Sequence, residues 1–161
     1  MTLNEYNKSV DLFSDNVYRF MLKNTKDEAV SKDIVQDSYE KLWLNYKDVN
    51  FLKVKSYLFT VAYRTMIDYY RKTKYFTHQE NMPVASQSHE EQYTDIGEIL
   101  NAAVEQLPAD QKSVLMLRDY EGYSYKEIAD ITGLSEAQVK VYIYRARTFL
   151  KNYLVKIENV A

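Results

Sequence analysis

Apolar residues recur along this chain at three- and four-residue steps, the spacing of helices that bury one face. Tyr6, Val10, Phe13, Val17, Phe20 and Met21 define a first amphipathic helix from about residue 4 to 24. Ile34, Val35, Ser38, Tyr39, Leu42, Trp43 and Tyr46 define a second over 31–46, directed inward, and leave Asp33, Gln36, Asp37 and Glu40 together on the other face. A short turn region over 47–51 leads to a third helix, about 54–75, buried through Val54, Tyr57, Leu58, Val61, Ala62, Met66 and Tyr69. The pattern lapses over 77–98, where Pro83, several Ser and Gln residues and acidic charge without a helical stripe suit a linker. It resumes with Ile99, Leu100, Ala103 and Leu107. Pro108 then suits the first position of a helix over 109–120 that buries Val114, Leu115 and Leu117 and ends before Gly122.

The most informative stretch is Ser124 to Leu150. Ser124 with Glu127, and Ser135 with Gln138, have the S-x-x-E/Q form in which the serine caps the third helical N–H and the acid or amide reaches back. Gly133 between them can take the left-handed conformation that ends a helix without a Cβ penalty. Two short helices meeting at one glycine make a helix-turn-helix. In the second of them Val139, Ile143, Ala146 and Leu150 form the buried stripe, and Lys140, Tyr144, Arg145, Arg147 and Lys151 lie opposite. Five basic residues and no acid occur from Lys140 to Lys156, which suits phosphate contact and base reading in a major groove. A plain helical hairpin is the bland alternative. The tail over 157–161 is expected to fray.

Charge sharpens the division. Residues 1–76 carry 13 Lys/Arg and 10 Asp/Glu (net +3), residues 77–100 none and 5 (net −5), and residues 101–161 8 and 8 (net 0), which sum to the formal −2 of the chain. From Lys53 to Lys74 there are six basic residues and one acid, interleaved with Tyr63, Tyr70 and Tyr75. Basic side chains that track a backbone, alternating with flat rings on which bases stack, are the ingredients of single-strand binding. Among 16 tyrosines some rings complete a small core instead, and for each ring the periodicity leaves both readings open. The row Asp33, Gln36, Asp37, Glu40 is either a solvated face or a docking surface for a basic or polar partner.

Several classes fall away. With three glycines and two prolines an all-β fold is poorly served, so the expected class is all-α: two small helical domains joined by an acidic flexible linker, the C-terminal one a helix-turn-helix. No cysteine means no disulfide framework and no thiolate metal site. His78 and His89 have no zinc-spaced neighbour, so no metal and no cofactor is expected. The N-terminus lacks a signal-peptide pattern, and no apolar run approaches the roughly 20 residues of a membrane span. These readings point to a cytoplasmic chain without membrane insertion. No nucleophile motif, carboxylate pair or phosphate-cradling glycine loop suggests an enzyme.

Three runs in order, DIVQDSYEKLW (33–43), SYLFTVAYRTMIDYYRK (56–72) and the stretch from Leu107 to Leu150, resemble the two conserved regions of bacterial RNA polymerase sigma factors of the extracytoplasmic function type. The resemblance implies residues 1–76 as a region 2-like domain, 77–98 as linker and 99–161 as a region 4-like domain. It implies that Asp33, Gln36, Asp37 and Glu40 face core RNA polymerase. It gives Tyr63, Arg64, Tyr70, Arg71, Lys72 and Lys74 the melted −10 strand of promoter DNA, and Ser135, Lys140, Tyr144, Arg145 and Arg147 the −35 duplex. An anti-sigma factor is the further partner it implies. The chain departs from the family pattern where A-R-N becomes Ala62, Tyr63, Arg64, and where Val141 and Tyr142 stand for Ser and Arg in T-V-K-S-R-L, so base preference is not carried over. The rival readings are a stand-alone helix-turn-helix regulator that binds an operator as a dimer, and a helical protein that sequesters a partner without touching DNA. An isolated form could close its two domains on each other through complementary charge.

Overall fold

The computed structural model describes residues 1–76 and 96–160, the side chains of 74–76 and 160 excepted. Among the described residues there are seven α-helices and no strand: α1 (Leu3–Thr25), α2 (Glu28–Asn45), α3 (Val54–Phe76), α4 (Ile96–Glu105), α5 (Ala109–Asp119), α6 (Tyr125–Thr132) and α7 (Glu136–Val160). Two 3-10 turns, Tyr46–Asp48 and Phe51–Lys53, join α2 to α3. Most of the segment read as a linker, with His78, Pro83 and His89, lies outside the described residues, and α4 begins at Ile96.

Local sequence sets the helix ends. Thr2 and Glu5 form a reciprocal capping box at the start of α1, and Asp27 accepts from the Val30 N–H to start α2. Ser124 with Glu127 caps α6, and Gly133 ends it at φ 78°. At α7 the Gln138 N–H donates to Ser135 Oγ at 3.1 Å, and the Ser135 N–H to Gln138 Oε1 at 3.0 Å. This second helix then runs on to Val160, so the tail continues as helix where fraying was expected. A basic side-chain stem every few residues and no glycine or proline after Gly133 leave nothing to stop it.

Helices α1, α2 and α3 pack on one another, and α5, α6 and α7 form a second group that α4 joins through α7. The groups meet: α1 packs on α5 and α3 on α6, and one apolar core runs through both, from Val17, Phe20 and Met21 through Leu58 and Phe59 to Leu117, Tyr123 and Ile128. This contact explains where the helical stripes fell short. Helix α3 buries Phe59 and Tyr63 in addition to Val54, Leu58, Ala62 and Met66, because it has a neighbour on two sides. Tyr69, assigned to the stripe, is 40% exposed. In α5 the whole run Lys112–Leu117 is buried, since it is enclosed by α1 on one side and α6 and α7 on the other. Trp43 is 49% exposed rather than inward, its ring lying on Tyr46 at 5.3 Å and edge-on to Tyr6 at 5.2 Å.

The groups are joined by apolar packing together with hydrogen bonds and an ion pair. Phe59 meets Tyr123 edge-on at 5.7 Å. Ser113 Oγ donates to Asn24 Oδ1 at 2.8 Å, and one ion pair, Lys55 with Glu121 at 3.1 Å, spans the contact. Lys112 donates to the Lys23 carbonyl at 3.0 Å. That carbonyl belongs to the last turn of α1, where acceptors lack helical partners and a cation suits the negative end of the helix dipole. Burial pulls the Lys112 ammonium pKa down.

Candidate nucleic-acid and partner interfaces

The helix-turn-helix presents its basic face to solvent. Val139, Ile143 and Ala146 anchor α7 in the core, which turns Lys140, Tyr144, Arg145 and Arg147 outward, with Tyr144 72% exposed. Ser135 is spent on the cap, which fixes the N-terminal turn from which a base-reading helix enters a groove. Val141 is exposed and Tyr142 half-buried, so the two departures from the family pattern differ in their access to a ligand. Arg147 is the most constrained of the group. Its Nη2 lies 2.6 Å from Asp119 Oδ1, a hydrogen bond that raises the guanidinium pKa.

Tyr125, the first residue of α6, gathers the surrounding cations. The Arg118 guanidinium sits 4.7 Å and the Lys140 ammonium 5.7 Å from its ring centroid. A groove of about 650 Å3 follows, lined by Tyr125, Lys140, Tyr144, Arg147, Lys151 and Asn152. Asp119 pairs with Arg147 beside it, and none of the groove's lining residues is acidic, so the groove suits a phosphate-bearing backbone. Tyr125 and Arg118 were absent from the sequence reading. A tyrosine directly after the capping Ser124 was the available signal, but only the fold brings Arg118 from α5 and Lys140 from α7 onto the same ring.

The candidate single-strand surface on α3 is split. Arg64, Arg71 and Lys72 are exposed. Tyr70 is partly exposed, yet its hydroxyl donates to the Asn24 carbonyl at 2.9 Å, which holds the ring at the α1–α3 corner. Tyr63 is only 6% exposed; burial, with Asp110 of α5 nearby, pushes its hydroxyl pKa up. The side chain of Lys74 lies outside the described residues. Just before α3, Leu52 projects at 89% exposure from the turn that Asn50 caps.

On α2, Asp33, Gln36, Asp37 and Glu40 are all exposed on one face. Among the described residues no cation pairs with these carboxylates. A groove of about 390 Å3 runs alongside between α2 and α3, lined by Asp33, Asp37, Lys41, Asp68, Tyr69 and Lys72. Unpaired carboxylates on a rigid helix meet a partner's cations with little reorganisation. Among the described residues no three His, Asp or Glu side chains converge on a metal position, and no helix is long and apolar enough to cross a membrane.

Comparison with known proteins gives these surfaces a common context. Residues 10–75 match the family described as Sigma-70 region 2, and residues 97–150 match Sigma-70 region 4. The chain is 31% identical over 159 residues to the ECF RNA polymerase sigma factor SigM of Bacillus subtilis, covering 94% of each sequence. It is 32% identical over 142 residues to the RNA polymerase sigma factor SigV of the same organism, covering 86% of this chain and 84% of the relative. In fold it is similar to the sigma factor RpoE of Bartonella quintana, solved in complex with the anti-sigma factor NepR, with a TM-score of 0.78 at 23% identity over 94% of this chain and 98% of that one. It is also similar to CnrH, solved with the cytosolic domain of CnrY, with a TM-score of 0.65 at 20% identity over 94% and 88%. Two sigma regions in order, with relatives matched along nearly their whole length, place this chain in the ECF family of RNA polymerase sigma factors, the proteins that direct polymerase to promoters.

Proposed function

We propose that the chain works as a promoter-specificity subunit with no active site of its own, in the cytoplasm, with residues 1–76 docking on core RNA polymerase and residues 99–161 reading the −35 duplex. The polymerase carries the chemistry. Asp33, Gln36, Asp37 and Glu40 meet basic side chains of the polymerase. Arg64, Tyr70, Arg71, Lys72 and Lys74, with Tyr63 once uncovered, hold the melted −10 strand by phosphate contact and base stacking. Lys140, Tyr144 and Arg145 address base edges and phosphates of the −35 element, while Arg147, held by Asp119, and Tyr125 shape the phosphate seat beside them. An anti-sigma factor is a further partner, supported by the similar fold of the sigma factor RpoE, solved in complex with the anti-sigma factor NepR. The observation that carries this reading is one chain bearing two separate exposed surfaces: a capped helix-turn-helix with a cationic face, and an unpaired carboxylate row on another helix.

Because the chain as a whole carries a formal charge of −2, its own affinity for DNA is weak, and tethering both domains on polymerase raises their effective concentration at a promoter. Gel-shift selection from a random duplex library tests this directly. With core polymerase present, the chain enriches a bipartite sequence, and alone it enriches none. Enrichment of a single palindromic site by the chain alone would identify the stand-alone regulator instead.

A further inference from the structure

An uncharged line runs along the outward side of α7, in the middle of its cationic face. At about 100° per residue, Ala137, Val141 and Thr148 fall together opposite Val139, Ile143 and Ala146, the residues that hold the helix in the core. All three are exposed, Val141 by 44%. Tyr144 and Arg145 stand on the two shoulders of this line. Lys140 and Arg147 lie further round on the Tyr144 side, where each already has a partner: the Lys140 ammonium faces the Tyr125 ring, and Arg147 Nη2 is 2.6 Å from Asp119 Oδ1. Glu136 in the first turn is more than a quarter of a turn from the line.

A major groove has the complementary layout, with phosphates along both walls and base edges on the floor between them. Cations at the margins of α7 therefore meet the walls, and the crest meets the bases. Ala137 and Val141 offer no hydrogen-bond donor or acceptor from their side chains. What an apolar group can recognise on the floor of a major groove is the C5-methyl of thymine. The two residues lie in the first two turns, the part of a recognition helix that reaches base edges, and Thr148 lies about 10 Å beyond Val141 along the axis. Four residues of helix rise about 6 Å, close to two base steps of 3.4 Å, so the pair matches methyls one or two steps apart. A single exposed valine on a surface needs no explanation. This one shares its line with an exposed alanine one turn earlier, has cations on either side, and stands where the family pattern has a serine. The chain has exchanged a hydroxyl for two methyl groups at the position that faces the bases.

We propose that Val141, with Ala137 one turn before it, is a specificity-determining residue that reads thymine C5-methyl groups, so that the −35 element of this chain's promoters carries A·T pairs at the base steps beneath it. The inference rests on the −35 role proposed above for α7 and adds the chemistry of the readout. Lys140, Arg145 and Arg147 set the register on the phosphates, and the apolar crest supplies discrimination. Burying one methyl group corresponds to about a fourfold change in affinity. The preference for thymine is accordingly graded: a single mismatch weakens the site without abolishing it.

The test uses the complex of the chain with core polymerase and the duplex it selects from a random library. Thymines in the upstream half of that duplex are replaced one at a time by deoxyuridine, which removes the C5-methyl and keeps every hydrogen bond of the base pair. Each duplex is compared by competition binding with wild type and with Val141→Ala, whose urea midpoint should match wild type because the residue is exposed. The expected result is about a fourfold loss for wild type at one or two thymines within two steps of each other, and at one of them a loss below about twofold for the variant. A merely structural role for Val141 would weaken binding to the thymine and deoxyuridine duplexes alike. A methyl penalty that Val141→Ala keeps in full at every position, or no position where wild type loses as much as about twofold, overturns the proposal and leaves polymerase-dependent selection standing. Reselection with Val141→Ser gives a second reading: thymine enrichment should fall at that one position, and an unchanged sequence overturns the proposal. If the complex enriches no sequence at all, the functional reading and this inference fall together.

Discussion

Phe59→Ala tests whether the molecule has one shared core. Phe59 is fully buried, with Phe20 of α1 at 5.4 Å on one side and Tyr123 at 5.7 Å on the other, so its ring belongs to both helical groups. Truncation removes the transfer energy of the ring and leaves a cavity whose walls come from three directions and cannot all collapse. A cost of about 3–5 kcal/mol is expected, and for a chain of this length that lowers the melting temperature by about 10 °C. Leu44→Ala is the matched control: Leu44 is 76% exposed on the outer side of α2, and its loss should stay within about 0.5 kcal/mol. Urea titration followed by far-UV circular dichroism measures both. If the two groups share the core, wild type unfolds in one transition and Phe59→Ala shifts all of it. A loss below about 1 kcal/mol, or a wild-type profile with two separate transitions of which only the earlier moves, would refute the shared core.

Three further outcomes follow from particular residues. Ser135→Ala removes the hydroxyl that accepts from the Gln138 N–H at the start of α7, and should cost about 1 kcal/mol in urea titration and loosen the turn that meets DNA; no change would mean that the cap contributes nothing. Gly133→Ala places a Cβ in open space at φ 78°, so its cost is conformational, about 1 kcal/mol, and a loss above 3 kcal/mol would point to a clash that the structure does not contain. Lys140→Ala should leave the urea midpoint unchanged while reducing the salt dependence of holoenzyme binding to DNA by about one counterion, and an unchanged slope would remove Lys140 from the phosphate contacts.

The helix-turn-helix was legible because its information is local. The Ser124 and Ser135 boxes, the left-handed Gly133 and the buried Val139, Ile143 and Ala146 all depend on residues within a few positions of one another. The Thr2 and Glu5 box at the start of α1 has the same form and is equally local, although the periodicity began that helix at residue 4. What the sequence did not carry is which body each helical face meets. Tyr63 looks the same to a periodicity argument whether it faces a DNA strand or α5, and Lys112 and Ser113, outside the buried set of Val114, Leu115 and Leu117, are covered because α1 lies over them. Trp43 failed for the opposite reason. An aromatic ring beside an apolar stripe was assigned inward, but the α1–α2 contact there is made by Tyr6 of α1 and Tyr39 of α2, whose hydroxyls bond across the pair to the Tyr39 and Ser9 carbonyls. The Trp43 ring is left half exposed, stacked on Tyr46 and edge-on to Tyr6.

The candidate surfaces divide in the same way. The α2 row was visible because four exposed polar residues at helical spacing need no tertiary contact to be recognised, and the cationic face of α7 for the same reason. The pairing of Arg147 with Asp119, and the place of Tyr125 between Arg118 and Lys140, needed α5, α6 and α7 brought together.

The measurement that tests the central claim most directly is the affinity of the fluorescently labelled chain for purified bacterial core RNA polymerase, beside Asp37→Lys. Asp37 is exposed and unpaired among the described residues, so the reversal should leave the fold intact, which circular dichroism checks. The account predicts tight, saturable binding by wild type and a loss of at least tenfold in the variant, since a like-charge contact replaces an attractive one. Binding by neither folded protein, or equal binding by both, would contradict it.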